Sequence, residues 1–236
     1  MTNPPLRIAL MAKAPVAGLA KTRLAPALGA EGAAALAAAL LRHAVAQASA
    51  AAPGRVTLWA APDTSHPVFA ELAHQHGVVL RAQPAVPDLG ARMAAVFQGD
   101  PAAGAAGPLL LMGSDIPALD AALLQQAGAA LHTYPAVFVP ALDGGYALVG
   151  LRADAEARHP GLQAALFQQM VWSTAQVMAQ TRARLAALGV VAAELQAVSD
   201  IDEAADLAHL PAALMSTLMA ALPADLRALL DARAKH

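Results

Sequence analysis

The sequence predicts an α/β fold, a mixed and mostly parallel sheet with helices on both faces. Short, nearly continuous apolar runs such as Leu6–Met11 (LRIALM) and Pro108–Met112 (PLLLM) mark strands buried on both faces. They alternate with longer segments rich in Ala and Leu, each closed by Gly or Pro, the pattern that builds parallel sheets. Charge is scarce, 14% of residues, yet it collects just after the apolar runs.

The elements follow in order. Leu6–Met11 is the first strand. Ala30–Ala50, with no Pro and no Gly after Gly32, is a helix stopped by Pro53-Gly54. Arg55–Ala60 is the second strand, Pro67–His76 a helix closed by Gly77, and Val78–Ala82 the third strand. Asp88–Gln98 reads as a helix with Asp88 as its N-cap. Pro108–Met112 is a central strand, followed by a helix over Ala121–Leu131. Ala136–Val139 and Tyr146–Leu151 are strands on either side of a turn at Asp143-Gly-Gly145. Thr174–Leu188 is a helix ending at Gly189, Val190–Val198 a last strand, and two helical stretches close the chain. The Ala-rich stretch Ala102–Gly107 reads as a surface loop.

The 236 residues, 58% hydrophobic, can bury a sizeable core, and we read them as a single domain with its C-terminal helices from about residue 203. Aromatics are only 3%, so packing rests on Leu, Val, Ile and Met. A net charge of −2 with no aromatic–basic interleaving argues against nucleic acid as a partner. The absence of Cys excludes disulfides, thiolate catalysis and Cys-ligated zinc, and it fits a reducing compartment. No uninterrupted apolar run reaches the roughly 18 residues of a membrane span, and the apolar start is too short for a signal peptide. The expected location is the cytoplasm, and an oligomer is compatible with the composition.

In open α/β sheets ligands sit beyond the carboxyl ends of the strands. Three such ends carry charge. After the first comes KAPVAGLAKTRL, Lys13–Leu24, where Gly18 allows close backbone approach and Lys21 and Arg23 match phosphate oxygens. It is not a Walker A loop, because Ala20 and Pro15 stand where that motif needs Gly. A loop of solvated or carbonyl-capping cations is the alternative. After PLLLM comes Gly113-Ser114-Asp115, whose carboxylate suits Mg²⁺, an ion that takes one or two carboxylates and completes its shell with phosphates and water. The alternative is an Asp capping a helix near Pro117. After the last strand comes Ser199-Asp-Ile-Asp202, where Asp200 and Asp202 project to one side of an extended chain. Asp202-Glu203 also reads as an acidic helix start, with one aspartate serving only as a cap. The Asp143-Gly144-Gly145-Tyr146 turn is either a plain hairpin or a place where substrate meets backbone. Trp172-Ser-Thr174 is a helix start or a substrate contact.

The ordered set KAPVAGLAKTRL, DLGARM, GSDIP, DGGYALVG, WST and SDIDEAADL resembles GT-A-fold transferases over roughly residues 6 to 207. It is most similar to the bacterial radical-SAM/selenodomain-associated transferase type 1 family. The same order resembles guanylyltransferases acting on phospholactate or phosphoenolpyruvate and, more distantly, molybdopterin guanylyltransferases. The resemblance implies a Rossmann-like nucleotide-diphospho-sugar transferase fold with nucleotide over the first strand. It implies nucleotide contacts at Ala12, Lys13, Gly18, Lys21, Arg23, Gly90, Arg92 and Ser114, with Lys21, Arg23 and Asp115 catalytic. It implies Mg²⁺ or Mn²⁺ at Asp115, Asp200 and Asp202, and acceptor contacts at Asp143, Gly144, Gly145, Tyr146 and Trp172. Where the guanylyltransferases have Thr after Gly-Gly, this chain has Tyr146. The expected activity is nucleotidyl transfer from a nucleoside triphosphate to a small acceptor. Glycosyl transfer from a nucleotide-sugar and nucleotide binding without turnover are the alternatives.

Overall fold

The computed structural model describes residues 4–86, 88–99 and 107–221. Most of the Ala102–Gly107 stretch and the chain beyond residue 221 lie outside the described residues. Seven strands form one sheet: β1 Arg7–Lys13, β2 Val56–Ala61, β3 Val79–Ala82, β4 Leu109–Gly113, β5 Ala136–Pro140, β6 Tyr146–Leu151 and β7 Ala193–Glu194, in the spatial order β3-β2-β1-β4-β6-β5-β7. β1 runs parallel to β2 and β4, and β2 to β3, whereas β6 lies antiparallel between β4 and β5. The chain walks outward from β1 to β3 and then returns to the other side of β1 as β4. That reversal leaves a crevice between the β1 and β4 carboxyl ends, where open α/β sheets bind ligands.

The period-2 alternation of β1 sorts its side chains to two cores. Ile8, Leu10 and Ala12 pack with Leu41 and Val45 of helix α1 (Ala25–Ala51), Leu72 of α2 (Pro67–His76) and Leu124 of α4 (Ala121–Ala130). Ala9 faces the opposite core, with Met93 and Val96 of α3 (Leu89–Gly99), Leu166 of α6 (Leu162–Phe167) and Leu185 of α7 (Val177–Ala187). A third cluster joins Leu28, Leu36 and Leu40 of α1 to Ile201, to Leu207 in a 3₁₀ turn over Ala204–His209, and to Leu214 and Leu218 of α8 (Ala212–Ala221). This last cluster presses residues 201–210 onto the β1–α1 region and so carries Asp202 toward the β1 end.

α1 has 27 residues and, with an 18-residue window of mean hydropathy 1.2, is long and apolar enough to cross a membrane, but half of that window is buried inside the fold. Gly29, at φ 69° and ψ 167°, breaks its first turn from the rest, so the regular helix starts where composition places it, at Ala30. The α2 boundaries are those expected, with Gly77 at φ 64° as the left-handed cap. Asp88 caps α3 through a 2.7 Å bond from the Ala91 N–H. The expected strand Val190–Val198 forms ladder pairs only at Ala193 and Glu194, with an isolated bridge from Val198 to Ala141. It is an edge segment beside β5, and Val191 is 70% exposed, so little burial holds it flat. The expected helix at Thr174 starts at Val177, and α6 and a short helix α5 (Ala155–Arg158), which the sequence reading omits, fill the chain between β6 and α7.

Candidate active site

The crevice at the β1 and β4 ends is an open cleft of about 570 Å³, a size that suits a small-molecule ligand. Lys13 and Ala12 border it from β1, Ser114 and Asp115 from the end of β4, and Arg92 from α3.

The loop after β1 bends back on itself, with the Leu19 and Ala20 N–H groups both donating to the Val16 carbonyl. Lys21 then takes a left-handed backbone, φ 49°, which is uncommon for a residue with a side chain and is held only where surroundings enforce it. Its side chain is only 6% exposed, and Nζ lies 3.0 Å from Asp115 Oδ2 and 3.6 Å from Asp202 Oδ1. Two residues on, Arg23 is 68% exposed and donates to Asp202 Oδ2 at 2.9 Å. The two cations that look alike in the sequence therefore differ: one is buried between carboxylates, the other lies on the rim.

Asp115 takes a 3.3 Å bond from Ser114 Oγ, and its carbonyl accepts the Ile201 N–H at 3.0 Å. That backbone bond fastens residues 200–202 to the end of β4. The capping expected of Asp200 or Asp202 falls elsewhere. Glu203 is the N-cap of the 3₁₀ turn, and Asp206 reaches back to the Asp202 and Glu203 N–H groups at 2.9 and 2.6 Å. The Asp202 carboxylate is left to face Lys21 and Arg23.

Asp200 does not border the cleft. Burial, then the charge of Asp143, and further the charge of Asp202, raise its pKa above the ordinary carboxylate value, with Lys21 opposing. A raised folded-state pKa means that ionised Asp200 destabilises the fold, fully above the folded pKa and not at all below the unfolded one. Asp200→Asn is therefore expected to raise Tm at pH 7, and the gain over wild type should vanish as pH falls toward the ordinary Asp value. Thermal melts at several pH values check this.

Other expected contacts separate by position. Gly18 has φ 78° and lies on the exposed part of the loop, outside the cleft lining. Gly90 is buried, and a Cβ there would fall 2.0 Å from the Phe167 carbonyl oxygen and 2.8 Å from Trp172 Nε1, so its place is in packing. In the β5–β6 turn, Asp143 Oδ1 accepts the Gly145 N–H at 2.8 Å, and the Gly144 carbonyl accepts the Met178 N–H at 2.9 Å. The turn is thus docked on α7, and of the expected acceptor residues Tyr146 alone borders the cleft. Tyr146 packs edge-on against Phe138 and Trp172, and burial pushes its phenol pKa up, so its hydroxyl is neutral and a donor. On α3, Leu89, Arg92 and Met93 share one face, at helical spacing, toward the cleft.

Gln83 was not expected. Its Nε2 donates to the Ala12 carbonyl at 3.2 Å and the Trp59 carbonyl at 3.0 Å, tying the ends of β1 and β2 together at the cleft wall. A neutral residue directly after an Ala-ended strand carries no signal of that duty. Among the described residues no group of three or more His, Asp or Glu is placed to hold a metal ion. Two carboxylates, Asp115 and Asp202, do converge on one cationic centre, the Lys21 ammonium, and two carboxylates plus ligand oxygens are a set that Mg²⁺ accepts.

The fold is that of nucleotide-diphospho-sugar transferases and cytidylyltransferases. A candidate nucleotide-diphospho-sugar transferase from Desulfovibrio desulfuricans G20 is 25% identical, with a TM-score of 0.74 over 98% of this chain and 95% of that one. A nucleotidyl transferase from Methanothermobacter thermautotrophicus shares the fold with a TM-score of 0.58 at 14% identity, covering 92% of this chain and all (100%) of that one. A cytidylyltransferase from Leptospira borgpetersenii does so with a TM-score of 0.54 at 11% identity, covering 99% and 96%. Residues 41–174 match the family described as "Uncharacterized protein conserved in bacteria (DUF2064)", and the chain belongs to that family. No protein of curated description matches it.

Proposed function

We propose that this protein is a Mg²⁺-dependent nucleotidyltransferase, akin to the radical-SAM/selenodomain-associated type 1 transferases. One observation carries the reading: Lys21, held between Asp115 and Asp202 with Arg23 alongside, sits at the switch point of a fold shared with nucleotidyl and cytidylyl transferases. An oxygen of a small acceptor attacks the α-phosphorus of a nucleoside triphosphate. The bond from that phosphorus to the α–β bridging oxygen breaks, and pyrophosphate leaves with the electron pair. Lys21 and Arg23 meet the triphosphate oxygens and offset the charge that builds on the leaving group, the kind of preorganised electrostatics that supplies most phosphoryl-transfer catalysis. Asp115 and Asp202 would hold the divalent ion, which when bound screens phosphate charge and aligns the reacting oxygens. Arg92 and Tyr146 border the cleft from its apolar side, where Arg92 adds a further cation near the ligand phosphates.

Glycosyl transfer from a nucleotide-sugar is the second reading, favoured by the 25% identity to the Desulfovibrio protein. Thermal shift with Mg²⁺ separates the two. A ligand at a hundred times its Kd adds about 2.7 kcal/mol of stability, a readily measured rise in Tm. Triphosphates are expected to raise Tm more than nucleotide-sugars do. The reverse order selects glycosyl transfer, and no shift with any nucleotide removes both readings.

A further inference from the structure

We infer that Lys21 is a displaceable counter-ion that couples metal binding to nucleotide binding, so that a divalent cation binds tightly only after nucleotide phosphates draw the ammonium off Asp115 and Asp202. This rests on the reading of those two carboxylates as the metal-holding pair. The geometry gives the reason. A metal ion shared by the two carboxylates needs the space between them, and the Lys21 Nζ already fills it at 3.0 and 3.6 Å. A dication entering beside a buried ammonium meets repulsion as well as competition for the same oxygens. Mg²⁺ dehydrates reluctantly and gains little from carboxylates that are already neutralised.

The arrangement also permits release. Asp115 and Asp202 keep 48% and 37% of their side-chain surface exposed, so the ion pair is buried from the lysine side only. Lys21 borders the cleft on a flexible four-carbon stem, and an ammonium is a point charge that re-pairs with phosphate without a required orientation. Arg23 is placed differently: exposed, and bonded to Asp202 Oδ2 rather than lying between the two carboxylates. It can stay on the rim while Lys21 moves. Nucleotide binding then does two things at once, adding phosphate oxygens for the metal and vacating the carboxylates. By linkage the metal must favour the nucleotide-bound form to the same degree.

The test uses Mn²⁺ alone as a probe of the nucleotide-free protein, its free concentration read by electron paramagnetic resonance. Lys21→Met is expected to bind Mn²⁺ at least tenfold more tightly than wild type, and adding Asp115→Asn to it should abolish the gain. Lys21→Arg moves the other way: its planar fork holds carboxylates more firmly and should weaken Mn²⁺ binding below wild type, which keeps the test decisive if Lys21→Met folds poorly. A second measurement follows triphosphate binding in excess chelator, where Lys21→Met should lose at least tenfold in affinity. Mn²⁺ affinity unchanged by either substitution overturns the counter-ion role. Equal metal-free triphosphate affinity in wild type and Lys21→Met overturns the hand-over to phosphate. If wild type binds no triphosphate at all, the nucleotidyl-transfer reading fails, while the Mn²⁺ comparison still decides whether Lys21 blocks the carboxylates.

Discussion

Asp115→Asn is expected to lower turnover by about 10²–10³-fold, the scale on which one charge-stabilising group in a preorganised site is felt. Tm of the free protein should stay nearly where it was. The substitution keeps the side chain's size and leaves an oxygen to accept from Ser114 Oγ, now at 3.3 Å. It removes one anionic ligand for a hard cation and one of the two carboxylates that hold Lys21. The Asp115 carboxylate is itself 48% exposed, and Asp202 still faces the buried ammonium, so the substitution leaves that charge paired. Pyrophosphate release with saturating triphosphate and acceptor, beside a thermal melt, gives both readouts. Glu203→Gln serves as the control: Glu203 is 68% exposed and reaches Arg23 only at 3.9 Å, so its loss should barely change rate. Full activity in Asp115→Asn would remove it from the chemistry.

The same geometry divides Lys21 from Arg23. Read as loop residues, both are surface cations whose removal leaves stability untouched. Arg23 fits that description, at 68% exposure, but the Lys21 side chain is 6% exposed and separates two carboxylates. Its loss leaves those carboxylates facing one another, a cost that no sequence spacing discloses.

What the sequence discloses depends on range. Elements set by local signals are readable: α2 runs from Pro67 to a Gly77 cap, and β6 is an unbroken apolar run from Tyr146. Elements set by partners are not. The Val190–Val198 segment has strand composition, yet its pairing is limited by its place at the sheet edge beside β5. Charges after strands pointed to the cleft, and Lys13, Lys21, Arg23, Asp115 and Asp202 all border it. Which charges meet was hidden, since Lys21, Asp115 and Asp202 come together through the β1–β4 pairing, the packing of Ile201 and Leu207 on α1 and the Ile201–Asp115 backbone bond. Gln83 was hidden for the same reason, because its two acceptors belong to strands that become neighbours only in the fold. Asp200 and Asp202 look equivalent in Asp-Ile-Asp, but the capping by Glu203 and Asp206 and the proximity of Asp143 give them different surroundings.

Gly90→Ala should be among the most destabilising single substitutions in the protein, although the family resemblance implies a nucleotide contact there. The residue is in the first turn of α3, and its missing side chain is what lets that helix close on the end of α6 and on Trp172. A Cβ built there lies 2.0 Å from the Phe167 carbonyl oxygen and 2.8 and 2.9 Å from the Trp172 ring. The tryptophan ring could shift, but the carbonyl is backbone, so α3 itself must move away. Forcing one methyl into a packed site costs roughly 1–3 kcal/mol and sometimes more, and here the contact is well inside any tolerable distance. At about 2–4 °C per kcal/mol for a chain of this size, a fall in Tm of several degrees is expected. The displacement would also carry Leu89, Arg92 and Met93, which share the cleft-facing side of α3, so any nucleotide affinity should fall along with stability. Gly18→Ala provides the contrast. Nothing lies within 4 Å of a Cβ at Gly18, leaving only the strain of its φ of 78°, and the effect on Tm should be clearly smaller. If Gly90→Ala melts with wild type while losing nucleotide affinity, the glycine serves the ligand rather than the packing of α3.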